Sequence, residues 1–430
     1  MPDRSLPPEM TFRLPSFDSA LGNHIIELHV WAVRQGLGGA GAPTLFDGLC
    51  QRLVTAGVPL WRAFAGMQTL HPQWGGYSYT WRRDLNAIQP TQFERGDEYQ
   101  QDVLNSPFGY MMRQAATFTG EAAPGLHLRR HLAGPEARFD FPILKEFAAS
   151  GATDYFAELF AFGKQGDPSR GIGVGYSFAT DRMGGFHDDD LTLLQAVLPA
   201  VSLAMMADAS HAIASGLLQA YLGSDAGQRV HSGAVVRGSV ESIHAVLWYA
   251  DIRGFTAIVD TTPGLQVIEL LDEAFETLTG LLRARGGQVL KFLGDGMLAT
   301  FPCVQATRRE VCRQALDTAR EAMQAIERLN STRRQTGKPV AEVDLALHLG
   351  EVLYGNVGAI DRLDFTVIGP AVNEVARMEA LCQPLGCKVL VSAEVAAALG
   401  DDPHLYSLGS HTLRGVREGR ELYGLDLGSF

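Results

Sequence analysis

Two aspartates are the residues of this chain best suited to chemistry, because each stands where a strand is predicted to end. Asp251 follows a continuous apolar run, and Asp295 lies between Gly294 and Gly296 in a strong turn signal. Carboxylates carried to one rim of a sheet repel each other unless cations lie between them. Mg²⁺ favours such a place, with a few carboxylates, retained water and substrate phosphate oxygens around it. The pair therefore predicts a site for divalent metals, although a lone Asp-Gly step more often only begins a turn.

Four further polar residues stand where a functional role competes with a structural one. Asn373 and Arg377 are four positions apart in a predicted helix after Pro370, so both project from one helix face. Lys291 and Thr366 lie in predicted strands between apolar neighbours. A buried lysine needs an acceptor or a carboxylate, because burial of an unpaired charge is unfavourable. Taken singly, these residues fit a solvated helix face, an internal ion pair and a strand threonine at least as well.

The elements that position these residues are predicted over residues 240–427. A strand buried on both faces, indicated by a continuous apolar run, precedes segments of helical spacing and hairpins marked by glycine. The predicted strands span 244–252, 288–301 as a hairpin, 343–349 with 352–357 as a second hairpin, and 365–368, and the predicted helices span 263–285, 305–329 and the residues after Pro370. This order predicts an α/β (α+β) sandwich related to the ferredoxin-like arrangement.

Four segments of this half, at appropriate spacing, resemble the class III nucleotidyl cyclases, the adenylate and guanylate cyclases. The matching segments are residues 250–256, 289–296, 347–352 and 365–379. One such motif would be weak evidence, whereas four in order are highly specific. The resemblance implies a ferredoxin-like catalytic domain that closes a nucleoside triphosphate into a cyclic nucleotide.

Carried over residue by residue, the resemblance implies a role for each polar position. It makes Asp251 and Asp295 the ligands of two divalent ions, Mg²⁺ or Mn²⁺, with Ile252 adding a backbone carbonyl. The remaining implied contacts are amides of Gly254, Phe255 and Thr256 to the triphosphate, Lys291 and Thr366 to the purine, Asn373 to the ribose, Arg377 to the α-phosphate and Arg414 to the terminal phosphates.

The purine-reading pair favours ATP. Lys291 can donate to the ring acceptor N1 of adenine, and Thr366 can accept from its exocyclic amine. Guanine presents the opposite pattern at that edge. Thr366 also resembles the subgroup that includes bicarbonate-responsive cyclases, and bicarbonate stimulation is therefore a hypothesis. The resemblance further implies a homodimer with two equivalent sites, since one domain carries both the metal acids and the other contacts.

Composition excludes several classes of protein. A formal charge of −12 without a long basic stripe argues against a nucleic-acid partner. Five scattered cysteines, at positions 50, 303, 312, 382 and 387, indicate reduced thiols. The N-terminus lacks the apolar core of a signal peptide. The most apolar stretch, 193–207, contains Pro199 and is shorter than the roughly 20 residues that span a bilayer. A cytoplasmic protein without a membrane span is predicted.

The N-terminal half carries no defensible catalytic motif. Residues 1–17 are predicted to be loose, 18–205 to form an α/β sensory-type domain, and 206–239 to form a helical linker. The alternation in 171–178, followed by a helix, resembles the end of a GAF or PAS-type domain, or of the acyl-homoserine-lactone receptor domain. A regulatory role with an unknown small-molecule signal is expected. His71 is a conceivable haem ligand, but a lone histidine is far more often packed.

Two alternatives stay open, and a third is disfavoured. The catalytic half could be a guanylate or other nucleotide cyclase. It could be a catalytically weak module that only binds nucleotide, which predicts loss of a metal acid, Asn373 or Arg377; none is lost. A diguanylate cyclase or a polymerase palm is disfavoured, because it would require a Gly-Gly-(Asp/Glu)-Glu-Phe-like turn or a double acid, and Gly294-Asp295-Gly296 is neither.

Overall fold

The computed structural model describes residues 19–117, 126–161, 173–415 and 418–428. The chain divides into two compact units, the first ending at Leu217 and the second beginning at Leu218. The segment predicted to be loose, 1–17, lies outside the described residues, as do Gly171 and Ile172 of the predicted strand.

The first unit is a single antiparallel sheet covered by helices on both faces. Its elements are α1 (Ala20–Leu37), α2 (Ala42–Thr55), β1 (Arg62–Gln68), β2 (Trp74–Arg82), β3 (Ala87–Glu94), α3 (Asp97–Leu104), α4 (Pro107–Thr117), β4 (Leu126–His131), α5 (Pro142–Ala149), β5 (Asp154–Ala161), β6 (Gly173–Thr180) and the start of α6 (Asp188–Leu222). The strand order is β3-β2-β1-β6-β5-β4. Val174, Tyr176 and Phe178 of β6 all enter one core with α1, α2 and α6, which confirms the predicted alternation.

Two ionisable groups are buried side by side in this unit. His127 of β4 and Glu158 of β5 are directly paired across the strands. Burial raises the pKa of Glu158 well above its usual range. Burial also lowers the pKa of His127 to about 4. Burial therefore favours the uncharged form of both groups.

Helix α6 begins with the three acids Asp188, Asp189 and Asp190, as predicted, and continues through Pro199 to Leu222 as one helix. Among the described helices it is the one whose length and apolar composition would suit a membrane span, and half of its most apolar window is buried in the protein. Core helices of soluble proteins meet the same description.

The second unit is an eight-stranded mixed sheet with helices on both faces. Its elements are α7 (Ser224–His231), β7 (Val240–Ile252), α8 (Phe255–Thr261), α9 (Gly264–Ala284), β8 (Gln288–Leu293), β9 (Gly296–Cys303), α10 (Arg308–Gln335), β10 (Val343–Gly358), β11 (Leu363–Ile368), α11 (Pro370–Glu379), β12 (Val389–Ser392), α12 (Ala393–Leu399), β13 (Leu405–His411) and β14 (Arg420–Leu425). The strand order is β13-β14-β12-β10-β7-β9-β8, with β11 also paired to β10. Helices α9, α10 and α12 cover one face, and α7 and α11 the other. This arrangement confirms the predicted α/β class.

The hairpin predicted at 343–357 is wrong, because β10 is one continuous strand of 16 residues. It pairs with β7 from Val343 to Gly355 without a turn. Gly350, which looks like a turn residue in the sequence, serves another purpose. A β-carbon there would lie 2.6 Å from that of Ala371, so the glycine lets α11 pack directly on the strand.

Candidate active site

The two predicted metal acids meet at the end of β7. Asp251 is the next-to-last residue of that strand, and Asp295 lies in the two-residue turn between β8 and β9. Strands β7 and β9 are adjacent, with Ala250 opposite Met297, so the turn reaches the end of β7. Gly294 takes the left-handed conformation (φ +71°) that this turn requires. The side chains of Asp251 and Asp295 lie close enough to share a hydrogen bond when one of them is protonated.

The electrostatics of the pair call for a cation. Burial, then the charge of Asp295, raise the pKa of Asp251 to about 6. Burial and the charge of Asp251 likewise raise the pKa of Glu379, the last residue of α11, to about 7. Within the described ranges, no group of three or more acidic, histidine or cysteine side chains has the geometry of a metal site. Two carboxylates with the neighbouring backbone carbonyl of Ile252 fit ions that complete their shells with substrate oxygens and water.

A further acid beside the pair is already neutralised. Asp344 lies directly opposite Asp251 on β10. Its carboxylate accepts two hydrogen bonds from Arg253, one of them from Nε at 2.8 Å. This fork-shaped contact is a strong one for a guanidinium. The uncompensated negative charge therefore remains on Asp251 and Asp295.

The predicted phosphate-binding turn comes directly after β7 in the chain. Gly254 is left-handed (φ +67°) and α8 begins at Phe255. The first amides of a helix have no acceptor within the helix. The N–H groups of Phe255 and Thr256 therefore point outward from the helix end that follows the metal acids.

Helix α11 lines a cavity of about 530 Å³. Its lining residues are Ile368, Gly369, Pro370, Asn373, Glu374, Arg377 and Gly415. Asn373 and Arg377 share one helix face, as predicted. In the part of the chain that the structure describes, neither side chain has a hydrogen-bond or ion-pair partner. Free donors facing a cavity are suited to an anionic, hydroxyl-bearing ligand.

The structure also brings Arg414 close to this cavity. Arg414 and Gly415 form a turn between β13 and β14, with Gly415 left-handed (φ +75°). A β-carbon on Gly415 would lie 3.7 Å from both terminal nitrogens of Arg377. The buried Leu413 anchors the turn in the core. The cavity is thus lined by Arg377 of α11 and by Gly415 of the turn that carries Arg414.

The predicted purine-reading residues have a partner that sequence reasoning missed. Lys291 forms an ion pair with Asp364, two residues before Thr366 on β11. Side chains two apart on a strand share a face, so Asp364 and Thr366 lie on the side opposite the buried Phe365. The expectation that Lys291 lies in a buried strand is wrong. It is 44% exposed, because β8 is the last strand of the sheet.

The site residues form separate groups in one chain. Asp251 lies beside Asp295, and Lys291 forms an ion pair with Asp364. Arg377 lies next to Gly415, in the turn that carries Arg414. Across the described residues, no ion pair links either metal acid to Arg377. Sequence reasoning missed Asp344, Glu374 and Glu379 as well as Asp364. Glu374 and Glu379 lie inside the matched segment 365–379, which was the available signal.

Comparison with known proteins gives the family of the second unit. Residues 238–426 match the family model described as the adenylate and guanylate cyclase catalytic domain. Adenylate cyclase 1 of Rhizobium meliloti is 29% identical over 202 residues, covering 44% of this chain and 30% of that protein. An adenylate cyclase of Anabaena cylindrica is 31% identical over 175 residues, covering 40% and 34%.

The chain thus spans about a third of the length of these curated relatives. A solved bacterial light-regulated adenylyl cyclase aligns with a TM-score of 0.46 at 24% identity, covering 54% of this chain and 66% of its own. The match of residues 238–426 to the family model, together with the two relatives named adenylate cyclase, gives the conclusion. Residues 238–426 are a class III nucleotide cyclase catalytic domain and belong to the adenylate and guanylate cyclase family.

Proposed function

We propose that the protein is an adenylate cyclase that converts ATP to 3′,5′-cyclic AMP and pyrophosphate. The observation that carries the proposal is the contact between Asp251 and Asp295 at adjacent strand ends. A cavity in the same unit supports it, since Arg377 lines this cavity without an ion-pair partner among the described residues and the Arg414 turn lies beside it. The relatives named adenylate cyclase support ATP as the nucleotide.

The reaction is an intramolecular displacement. The ribose 3′-oxygen forms a bond to the α-phosphorus, and the bond from that phosphorus to the β-phosphate oxygen breaks. Two divalent ions, Mg²⁺ or Mn²⁺, held by Asp251, Asp295 and the Ile252 carbonyl, would lower the pKa of the 3′-hydroxyl and hold the leaving phosphates. The amides of Gly254, Phe255 and Thr256 would bind the triphosphate from the helix end beside those acids.

The residues of α11 supply the rest of the machinery. Asn373 would orient the ribose, and Arg377 would meet the charge that grows on the α-phosphate. Arg414 would hold the terminal phosphates. Fixed cations placed where charge develops need no reorganisation during reaction, which is the main source of catalysis in phosphoryl transfer.

Adenine recognition is proposed for Lys291 and Thr366. Lysine can only donate hydrogen bonds, whereas a threonine hydroxyl can donate or accept. Asp364, which holds Lys291 and can only accept, adds a fixed acceptor to this face. A donor opposite N1 and an acceptor near the exocyclic amine match adenine. Guanylate cyclase activity is the second candidate, because the matching family contains both activities.

The working form is proposed to be a homodimer with two equivalent sites. The lack of an ion pair between the metal acids and Arg377 in the described chain supports assembly of each site from two protomers. Large apolar side chains exposed on the second unit support a partner surface there. They include Val259, Leu265, Ile268, Phe292, Leu293, Ile360 and Ile368.

The first unit is proposed to regulate the second in response to an unknown small molecule. The antiparallel sheet with helices on both faces supports a sensory role by architecture alone. Ultraviolet-visible absorption of the pure protein tests for haem or flavin. We also propose a cytoplasmic location. Recovery of the full chain in washed membranes would contradict it.

The test of activity is direct. Purified full-length protein is incubated with Mn²⁺ or Mg²⁺ and each nucleoside triphosphate, and the products are identified by mass spectrometry. Cyclic AMP from ATP as the main product is expected, and Asp251→Asn should abolish it. Cyclic GMP as the main product would favour the second candidate. Nucleotide binding without any cyclic product would identify a non-catalytic module.

A further inference from the structure

Glu374 is a carboxylate in a cavity where a negative charge would be expected to oppose substrate binding. It lines the cavity with Asn373 and Arg377, where an anionic substrate must bind. The side chain is only 14% exposed, so solvent screens its charge little. A negative charge beside a phosphate site is unfavourable unless another group holds it.

Two groups from neighbouring strands hold this carboxylate. Its Oε1 accepts a hydrogen bond from Nη2 of Arg420, the first residue of β14, at 3.1 Å. Its Oε2 lies 3.9 Å from Nε2 of His348 on β10. Among the described residues, no ion pair joins Glu374 to Arg377. The carboxylate is therefore tied to the sheet rather than to its own helix.

Arg377 is the alternative partner. It follows Glu374 by three positions, a spacing at which side chains meet on a helix surface. A Glu374 released from Arg420 could pair with Arg377 and neutralise the charge needed at the α-phosphate. The same release would loosen α11 from β14, and β14 follows the turn that carries Arg414.

We infer that Arg420 is a positioning residue that holds Glu374 away from Arg377 and so keeps the guanidinium of Arg377 free for the substrate phosphates. The inference rests on the proposed cyclase function and adds a residue pair to it. Arg420 itself does not contact substrate in this scheme. Its effect passes entirely through Glu374.

A double-substitution experiment in the full-length protein tests the inference. Arg420→Gln should lower kcat for ATP by up to roughly a hundredfold, because complete loss of one stabilising donor lowers kcat by about 10²–10³ and Arg377 is here neutralised, not removed. Adding Glu374→Gln should restore activity to the level of Glu374→Gln alone, because no carboxylate then remains to neutralise Arg377. A merely structural ion pair predicts the opposite, with the double variant at least as impaired as Arg420→Gln.

A second variant keeps the test valid if Arg420→Gln does not fold. Glu374→Asp is too short to keep the contact with Arg420 but retains a carboxylate three positions before Arg377. It should therefore be less active than Glu374→Gln, although it is the chemically closer replacement. Equal activity of the two variants, or a more active Glu374→Asp, would overturn the inference.

Binding provides a readout apart from turnover. The affinity for 3′-deoxy-ATP, which lacks the attacking hydroxyl, should fall in Arg420→Gln and recover in the double variant. Arg285→Gln is a matched control, since Arg285 is about as exposed as Arg420 and forms an ion pair with Glu321 outside the cavity. Wild-type protein without any cyclase activity would contradict the proposed function. An active wild type with an unaffected Arg420→Gln would contradict only this inference.

Discussion

The carboxylate of Asp251 lies against the backbone of Gly296, with Oδ2 2.8 Å from the point that a β-carbon on this glycine would occupy. The absence of a side chain at Gly296 is thus what allows the acid to stand beside Asp295. The glycine is therefore required by the close approach of the two acids and not only by the turn.

Gly296→Ala should therefore abolish most cyclase activity while leaving the fold intact. The added methyl group must displace the Asp251 carboxylate, and a 1 Å displacement of a reacting group can lower the rate about a hundredfold. Cyclic AMP formation at saturating Mn²⁺ is the measurement. Gly280→Ala is the control, because a β-carbon at this helical glycine meets nothing within 4 Å. Normal activity in Gly296→Ala would contradict the placement of the metal pair.

Asp364→Ala should reduce the preference for ATP over GTP. Loss of the partner frees Lys291 to move and removes the fixed acceptor from the purine-reading face, and discrimination of roughly tenfold should be lost. The ratio of kcat/KM for the two nucleotides is the measurement. Both side chains are about half exposed, at 44% and 48%, so the fold should tolerate the change. Asp361→Ala, in the preceding loop, is the matched control. A rise in kcat/KM for ATP would show that Asp364 restrains Lys291 instead of positioning it.

Two inactive variants should complement each other. A heterodimer of Asp295→Asn with Arg377→Ala carries both defects in one site and none in the other. Random pairing then restores about a quarter of wild-type activity, from half the dimers with one intact site each. Co-expression with two affinity tags allows the heterodimer to be purified and assayed. An inactive heterodimer of confirmed composition would argue against shared sites.

Glu158→Gln should stabilise the protein at alkaline pH. The unfolded chain ionises this carboxyl near pH 4.5, whereas burial holds the folded pKa well above that value. A rise in pH above 4.5 therefore favours the unfolded state, and stability falls until the folded pKa is reached. The variant should gain about 1–3 kcal/mol over wild type at pH 8 and little at pH 4. Urea denaturation of the full chain at both pH values measures the difference, and a gain confined to pH 4 would reverse the assignment.

Sequence reasoning predicted the placement of the candidate site residues where local rules decide the geometry. Asp295 is fixed by its glycine turn, and Asn373 with Arg377 by helical spacing. Lys291 shows the limit. Followed from strand to strand through β9 and β7, the register places Lys291 in line with Ala346 on β10. Its partner Asp364 is paired with Val357, much farther along the same strand. The two meet only if β10 curves strongly, and neither spacing nor periodicity encodes that curvature.

The same limit explains the missed helix contacts. Glu374 meets Arg420 because α11 packs on β10 at Gly350, a residue that resembles a turn signal in the linear chain. The continuous strand could not be distinguished from a hairpin by alternation alone, since both alternate in the same way. Ion pairs between residues far apart in sequence depend on such packing, so they cannot be predicted before the packing is known.

The two arginines proposed to bind the substrate phosphates have a last consequence. Arg377 and Arg414 are permanent charges that bind phosphate oxygens wherever these belong. They should attract the pyrophosphate product as strongly as they attract the β- and γ-phosphates of the bound nucleotide. We therefore expect product inhibition by pyrophosphate, so that sustained cyclic AMP synthesis depends on how quickly the surroundings hydrolyse it.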